Sequence, residues 1–215
     1  MIIAAGAVGG RNRRVEYQDH LSSDTDTSSY TYNGVAFGTA SARRTIIVAF
    51  QDSQGTAGAP DSMTIGGITA SLELTGGSGA RPMQFWVARV PTGTTGTIVV
   101  SRSAGTMVGS SINVYAAYDL TSDTPFATAA ADGTTTLDLS LNAPGGGIVI
   151  GFGRAVNAAS RTFTWSGLTE DQDGAGDTGN WVTTASASKV AAATPRAVSV
   201  TVSAGTCLGI AASWQ

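Results

Sequence analysis

The chain has few of the residues from which active sites and disulfide-stabilised modules are built. Of its 215 residues, 1 is cysteine, 1 is histidine and only 13% are charged. Cys207 has no partner for an internal disulfide, which argues against a small secreted module held by bridges. A Ser-His-Asp triad or a His-ligated zinc site would both depend on His20, the single histidine. We therefore expect the chain not to be an enzyme and to need no cofactor.

The sequence also lacks the features of membrane and nucleic-acid-binding proteins. No apolar run approaches the roughly 18 residues that cross a bilayer as a helix. The apolar start, residues 1–5, is followed rather than preceded by arginines, the reverse of the order in a Sec signal peptide. The net charge is -3, so there is no broad cationic surface to neutralise phosphates. These absences predict a chain made in the cytoplasm without a signal peptide, without membrane insertion and without nucleic-acid binding.

What the chain does contain is strand-length apolar runs separated by turns. It is 42% hydrophobic and holds 28 glycines, and Ser and Thr fill most polar positions. The run from Arg44 to Gln51 is typical of a strand buried on both faces, and Leu137 to Leu141 alternates as a half-buried strand does. About a dozen such runs predict an all-β sandwich or barrel. Only Ala185 to Ala193 has a helix-like composition, which Val190 and the following Pro195 weaken.

Several segments recur about one hundred positions apart. Ser103 to Thr106 and Ser203 to Thr206 are the same four residues, each between two strand-like runs. This periodicity predicts two degenerate copies of one all-β unit. We expect a jelly-roll-like antiparallel β-sandwich domain at 29–215, with halves at about 29–120 and 134–215 and a connection from Asp119 to Gly133. Two separate domains remain the alternative. Residues 1–28 read as an extended N-terminal arm with at most a short strand from Val15 to Gln18.

The acidic segment from Glu170 to Asp177 has the most site-like composition. Asp171, Asp173 and Asp177 are spaced by glycines, and their oxygens suit calcium. The segment lacks the closing Glu of an EF-hand, and a solubilising turn is the alternative interpretation. Paired carboxylates for sugar hydrolysis would have to come from a small set of acids that default to surface roles: Glu73, Asp138, Glu170 and Asp171.

Two further features suggest contacts with partners. Arg11, Arg13 and Arg14 form the only cationic cluster and could dock on an acidic partner, although acids follow closely and can pair with them. Most aromatic residues occupy alternating strand positions, where packing in the core is normal. Trp181, next to the acidic segment, is the aromatic residue that we expect to be exposed and able to stack on a sugar or a protein.

The strand-and-turn pattern from Ser29 to Trp214 resembles β-sandwich proteins of tailed-bacteriophage virions. The segments that carry the resemblance are 33–38, 63–67, 85–93 and 165–170. The resemblance implies a virion structural protein, either a capsid decoration or spike-like subunit or a tail-associated one. We expect it to be anchored by its arm, to contact other capsid or tail proteins and to form homo-oligomers. The alternative is a carbohydrate- or receptor-binding module for a host-surface glycan, with its site at Trp181 and Asp171 to Asp177.

Overall fold

A computed structural model describes residues 12–52, 59–77, 81–133, 135–156, 160–177 and 179–215. These residues form strands and turns and contain no helix. The predicted all-β fold is confirmed: antiparallel sheets pack face to face as in a β-sandwich. Among the described residues, no helix has the length and hydrophobicity needed to cross a membrane.

The first part of the chain forms two sheets. Inner sheet 1 has the strand order β1-β9-β3-β7-β6, and outer sheet 1 has the order β2-β8-β4-β5. The strands are β1 (Arg14–Thr27), β2 (Ser29–Ala36), β3 (Arg44–Asp52), β4 (Ser62–Ile65), β5 (Ile68–Thr69), β6 (Ser71–Gly76), β7 (Met83–Arg89), β8 (Thr95–Ser101) and β9 (Met107–Tyr118).

The second part also forms an inner and an outer sheet. Inner sheet 2 has the order β10-β19-β13-β16-β15, outer sheet 2 has the order β11-β18-β14, and β12 pairs with β17. The strands are β10 (Ala127–Gly133), β11 (Thr136–Asp138), β12 (Leu141–Ala143), β13 (Gly147–Val156), β14 (Phe163–Ser166), β15 (Thr169–Asp177), β16 (Asn180–Val190), β17 (Ala193–Arg196), β18 (Ser199–Val202) and β19 (Cys207–Trp214).

The four larger sheets stack in layers, with the two inner sheets facing each other. One apolar core lies between outer sheet 1 and inner sheet 1, and another lies between inner sheet 2 and outer sheet 2. A third core joins the inner sheets and includes Ile47, Phe85, Ile150 and Trp214; we call this contact the central interface. Strands β3 and β13 are buried along their whole length, because each has a core on both of its faces. This explains why their sequences are nearly continuous apolar runs.

Several predicted boundaries differ from the structure. The N-terminal segment is not a separate arm over residues 14–27, because β1 pairs with β9 from Arg14 to Thr27 and forms an edge of inner sheet 1. The predicted connection from Asp119 to Gly133 contains β10, which is an edge of inner sheet 2. The helix-like segment at 185–193 lies mainly in β16. In each case, pairing with a neighbouring strand outweighs the local propensity.

Candidate functional site

The acidic segment is an edge strand rather than a loop. Strand β15 pairs with β16, and register shifts interrupt the pairing at Glu170/Gln172 and at Ala175/Asp177. Asp171 Oδ2 accepts a hydrogen bond from the Tyr115 hydroxyl at 2.9 Å, across the central interface. Asp173 instead accepts hydrogen bonds from the Phe163 backbone N–H, 3.3 Å away on outer sheet 2, and from the Trp181 indole N–H. The carboxylates of Asp171 and Asp173 therefore contact different layers, inner sheet 1 and outer sheet 2 respectively.

The described residues do not form the predicted calcium site. The side chain of Asp177 lies outside the described residues. Within the described part of the chain, no group of three or more His, Cys, Asp or Glu side chains is arranged to hold a metal ion. Each of the other two predicted ligands is occupied by a donor of the protein itself, Asp171 by Tyr115 and Asp173 by Trp181.

Burial changes the acidity of this segment. Desolvation raises the pKa of Asp171, although hydrogen bonds from Ser186 and Tyr115 oppose the rise. Desolvation also raises the pKa of Asp173. The pKa of Glu170 is raised first by burial and then by the charges of Asp173 and Asp171. Raised carboxyl pKa values occur in active sites, but here their first cause is the burial of the carboxylates between packed layers, which is an ordinary structural cause.

The other acids named as hydrolytic candidates lie on different strands. Asp138, in β11, accepts a hydrogen bond from the Ser140 backbone N–H at 2.9 Å and thereby closes a turn. Its hydrogen bonds with Ser140 lower its pKa. Glu73 lies in β6, where burial and then the charge of Asp123 raise its pKa. Among the described residues, no hydrogen bond or ion pair joins the side chain of Asp138 or Glu73 to the acidic strand β15, so neither residue is paired there with Glu170 or Asp171.

Trp181 is half-buried rather than projecting into solvent. Its ring packs against the core between inner sheet 2 and outer sheet 2, and Asp173 accepts its N–H. The side chain is therefore held along an edge and does not form a free stacking platform. Phe126 is the most exposed of the large hydrophobic side chains, at 55%. Its exposure was not predicted from the sequence.

The arginine cluster is only partly described. Arg11 lies outside the described residues. Arg14 donates from Nε to Glu16 at 2.7 Å, and its guanidinium lies 3.8 Å from the centre of the Tyr118 ring. Arg13 is half-buried, beside the turn at Gly146. Arg14 thus pairs within its own sheet, which was the alternative to docking on an acidic partner.

The polar residues that join the two inner sheets were not predicted to do so from the sequence. His20, which the sequence analysis placed in the arm, lies in β1, where its Nδ1 is 3.0 Å from Asn113 Oδ1. Its Nε2 donates to the Ala175 carbonyl at 2.9 Å. Arg154 is fully buried and donates from one terminal nitrogen to the Asp52 carbonyl at 2.6 Å. The only sequence signal for Arg154 is a charged residue inside the apolar run of β13.

The surface has shallow clefts. The largest of those described measures about 420 Å³ and runs between β1 and β2. Hydroxyl groups dominate its lining, which consists of Ser22, Ser23, Thr25, Thr27, Ser29, Tyr30, Thr31 and Tyr32. Tyr30 and Tyr32 are both buried, and their rings stack 6.2 Å apart. Their hydroxyls donate inward, that of Tyr30 to the Thr25 carbonyl at 2.7 Å. The cleft therefore offers polar groups without an exposed aromatic face.

Together, fold and surface define a layered antiparallel β-sandwich protein whose ionisable groups serve mainly as structural acceptors and donors. Comparisons with protein-family models, with curated proteins and with solved structures found no match to the chain.

Proposed function

We propose that the chain is a structural protein of a bacteriophage virion, a capsid decoration or spike-like subunit or a tail-associated one, and not an enzyme. The observation that carries the proposal is the use of ionisable groups within the fold. Asp171, His20 and Arg154 all make hydrogen bonds across the central interface. Chemistry needs groups left available to substrate, whereas a display subunit needs a rigid body. The stack of sheets joined by these contacts supports the second role.

We further infer that the two halves are degenerate copies of one jelly-roll unit. When β5 of the first part and the β12–β17 pair of the second are left out of the count, the strand orders of the inner sheets correspond: β1-β9-β3-β7-β6 and β10-β19-β13-β16-β15. The outer sheets correspond in the same way, β2-β8-β4 and β11-β18-β14. The repeated Ser-Ala-Gly-Thr segments occupy equivalent turns, before β9 and before β19, and their glycines Gly105 and Gly205 both have positive φ, 86 and 93 degrees. Alternating placement of strands in two facing sheets is the jelly-roll arrangement.

The proposal includes partners and location. The subunit belongs on the virion, after synthesis in the host cytoplasm, and it contacts capsid or tail proteins and further copies of itself. Repeated positions on a symmetric particle favour symmetric subunits. Residues 1–28 were expected to anchor the subunit; since residues 14–27 belong to inner sheet 1, we assign the anchoring role to surfaces of the sandwich together with the residues before β1.

Antibodies against the purified chain test the proposal directly. Virus particles purified from the source culture would be labelled with gold-conjugated antibody and imaged by electron microscopy. We expect label at regular positions on heads or tails, and none with antibody pre-absorbed on the purified chain. Particles without label, together with peptides of the chain found only in the particle-free lysate, would refute a virion role.

A carbohydrate- or receptor-binding module is the second candidate, and the hydroxyl-lined cleft between β1 and β2 favours it. Hydroxyl side chains can pair with sugar hydroxyls, although exposed aromatic faces normally supply much of the affinity. A glycan array probed with the wild-type chain tests this candidate. The exposed Ser22→Tyr variant, which narrows the cleft, should lose any signal, and the exposed Thr201→Tyr variant on outer sheet 2 should keep it. Absence of wild-type binding would exclude the glycans on the array.

A further inference from the structure

The edge strands of the sheets differ in how they are protected against pairing with other chains. The inner sheets end in β1, β6, β10 and β15. The ladders of β1, β6 and β15 to their neighbours all contain register shifts, and all three strands carry acids within their length. Charges and bulges are the usual means by which an edge is kept from pairing with another chain.

Strand β10 lacks these protections. Its seven residues, Ala127–Gly133, pair with β19 without any register shift. Its single charge is Asp132, next to its last residue. Of the remaining edges in the described residues, β2 has a register shift, and β5, β11, β12, β14 and β17 are two to four residues long. Within the described part of the chain, β10 is thus the only edge of more than four residues with a regular ladder.

We propose that β10 pairs with β10 of a second copy of this chain, in antiparallel orientation about a two-fold axis at Ala130. An edge strand presents unpaired backbone N–H and C=O groups, and the ligand that satisfies them is another strand. With Ala130 on the axis, Thr128 of each copy lies directly opposite Asp132 of the other. Directly opposite residues share one face of the sheet, so the Thr128 hydroxyl can donate to the Asp132 carboxylate twice in the dimer.

The surroundings of β10 leave room for this partner. Thr128, Ala130 and Asp132 are exposed, while Ala127, Ala129 and Ala131 pack partly against the core of the second half. A cleft of about 310 Å³ lies beside the strand, between β10 and the end of β6. Small side chains on both faces let a second strand approach to the usual spacing. The exposed Phe126 directly precedes the strand, and the pairing would bury part of its ring.

The self-complementary register favours a second copy over a foreign strand. In the two-fold pairing, each half of the ladder repeats the other: Thr128 faces Asp132, Ala129 faces Ala131 and Ala127 faces Gly133. No like charges lie opposite each other, and no large side chain lies opposite another. A closed isologous contact of this kind buries both copies of β10, and the joined sheet then ends on either side in β15, whose register shifts and acids protect it. The inference rests on the proposed homo-oligomer and names the surface that forms it.

Sedimentation of the full chain over a range of concentrations tests the proposal. We expect the wild type to form dimers and Ala130→Lys to raise the dissociation constant at least tenfold, because it sets two ammonium groups opposite each other. The matched control is Thr201→Lys, which places the same charge at an exposed position of β18, the central strand of outer sheet 2. Urea unfolding of each variant checks that the fold is retained.

A crosslink provides a second readout that does not depend on affinity alone. Ala130→Cys places two thiols across the axis, at a separation that suits a disulfide. Mild oxidation should therefore yield a covalent dimer, whereas Thr201→Cys and the wild type, whose Cys207 is buried, should not.

The outcomes separate the β10 contact from the homo-oligomer. If the wild type is an oligomer, Ala130→Lys does not dissociate it and Ala130→Cys does not crosslink, the β10 contact is overturned but the homo-oligomer is not. A wild type that stays monomeric up to about 100 μM and does not crosslink would overturn both. A third outcome is a wild type that is monomeric but binds virus particles, together with an Ala130→Lys variant that no longer binds them. This outcome would mean that β10 pairs with a strand of another protein, and it would overturn self-pairing.

Discussion

Arg44 provides the sharpest test of how the loops at one end of the first half are held. Its side chain is fully buried and donates to four backbone carbonyls, those of Val90, Gly38, Thr92 and Gly93, at 2.8 to 2.9 Å. Burial lowers the pKa of the guanidinium, but an arginine remains charged under such conditions. The charge is thus satisfied entirely by loop carbonyls rather than by a carboxylate.

Replacing Arg44 with Met should destabilise the fold by about 3 to 4 kcal/mol. The net contribution of a typical hydrogen bond is about 1 kcal/mol, and four are lost. A buried ion pair can often be replaced by apolar residues without loss because both partners change. Here the acceptors are backbone carbonyls, which stay in place and lose their donor. Arg44→Lys should recover only part of the loss, because an ammonium group cannot span four carbonyls.

Urea unfolding followed by tryptophan fluorescence measures this effect. With a slope of about 2 to 3 kcal/mol per molar urea, the midpoint of the Met variant should fall by roughly 1 to 2 M. The matched control is Arg89→Met, which removes an ion pair to Asp123 of 3.1 Å whose arginine side chain is 43% exposed. It should cost less than about 1 kcal/mol. An Arg44→Met variant as stable as the control would refute the reasoning and mean that water replaces the guanidinium.

Three further outcomes are expected. Arg154→Met should lower the free energy of unfolding by about 2 to 4 kcal/mol in the same urea assay, since the Asp52 carbonyl and Asn180 Oδ1 lose a donor at the central interface; an unchanged midpoint would contradict its role there. Asp171→Asn should make the stability of the fold depend less on pH. Burial raises the folded-state pKa of Asp171, so the folded chain binds this proton more tightly than the unfolded chain does. The contribution of Asp171 to stability therefore rises as the pH falls towards the ordinary carboxyl pKa. The melting temperatures of the wild type and the Asn variant, measured between pH 4 and 8, should therefore differ most near pH 8, where the variant should be the more stable. Parallel plots of melting temperature against pH for the two proteins would disprove this. Gly151→Ala should cost about 1 to 3 kcal/mol by overpacking, because its Cβ would lie 2.5 Å from the Trp165 ring, and calorimetry would reveal tolerance if the ring can shift.

The fold class could be predicted because the strands that define it are marked locally. Residues 46–50 and 148–152 are continuous apolar runs, and both lie in central strands of the inner sheets. Residues 137–141 alternate, and Leu137, Leu139 and Leu141 are all buried, although the structure divides this predicted strand between β11 and β12. Burial on one or two faces dictates these patterns, so they can be read without knowing the partner strands.

The N-terminal strand could not be predicted in the same way. β1 contains Glu16, Asp19, Asp24 and Asp26, residues that are poor strand formers. It is a strand because its backbone pairs with β9 over almost its whole length. That pairing depends on a segment about ninety positions later in the chain, which no local window contains.

The contacts of the candidate site residues could not be predicted for a related reason. The acidic segment had the composition of a loop, and sequence could not indicate that Tyr115 and the Phe163 backbone would take up two of its carboxylates. His20 and Ala175 are likewise brought together only by the packing of the two inner sheets. Composition identified polar residues that matter, but the layer that each one faces follows from the three-dimensional arrangement.

Two edge strands of the inner sheets, β1 and β10, differ in length, charge and regularity. β1 and β10 occupy the same place in the strand order of their sheets, yet β1 is long, acidic and bulged, and β10 is short, regular and nearly uncharged. The length of β1 has a use within the chain, since its His20 reaches Ala175 of the second half. β10 makes no comparable side-chain hydrogen bond to the first half among the described contacts. If the halves are copies of one unit, β1 has acquired a contact that joins the two halves, and β10 is the edge that remains available to pair with another chain.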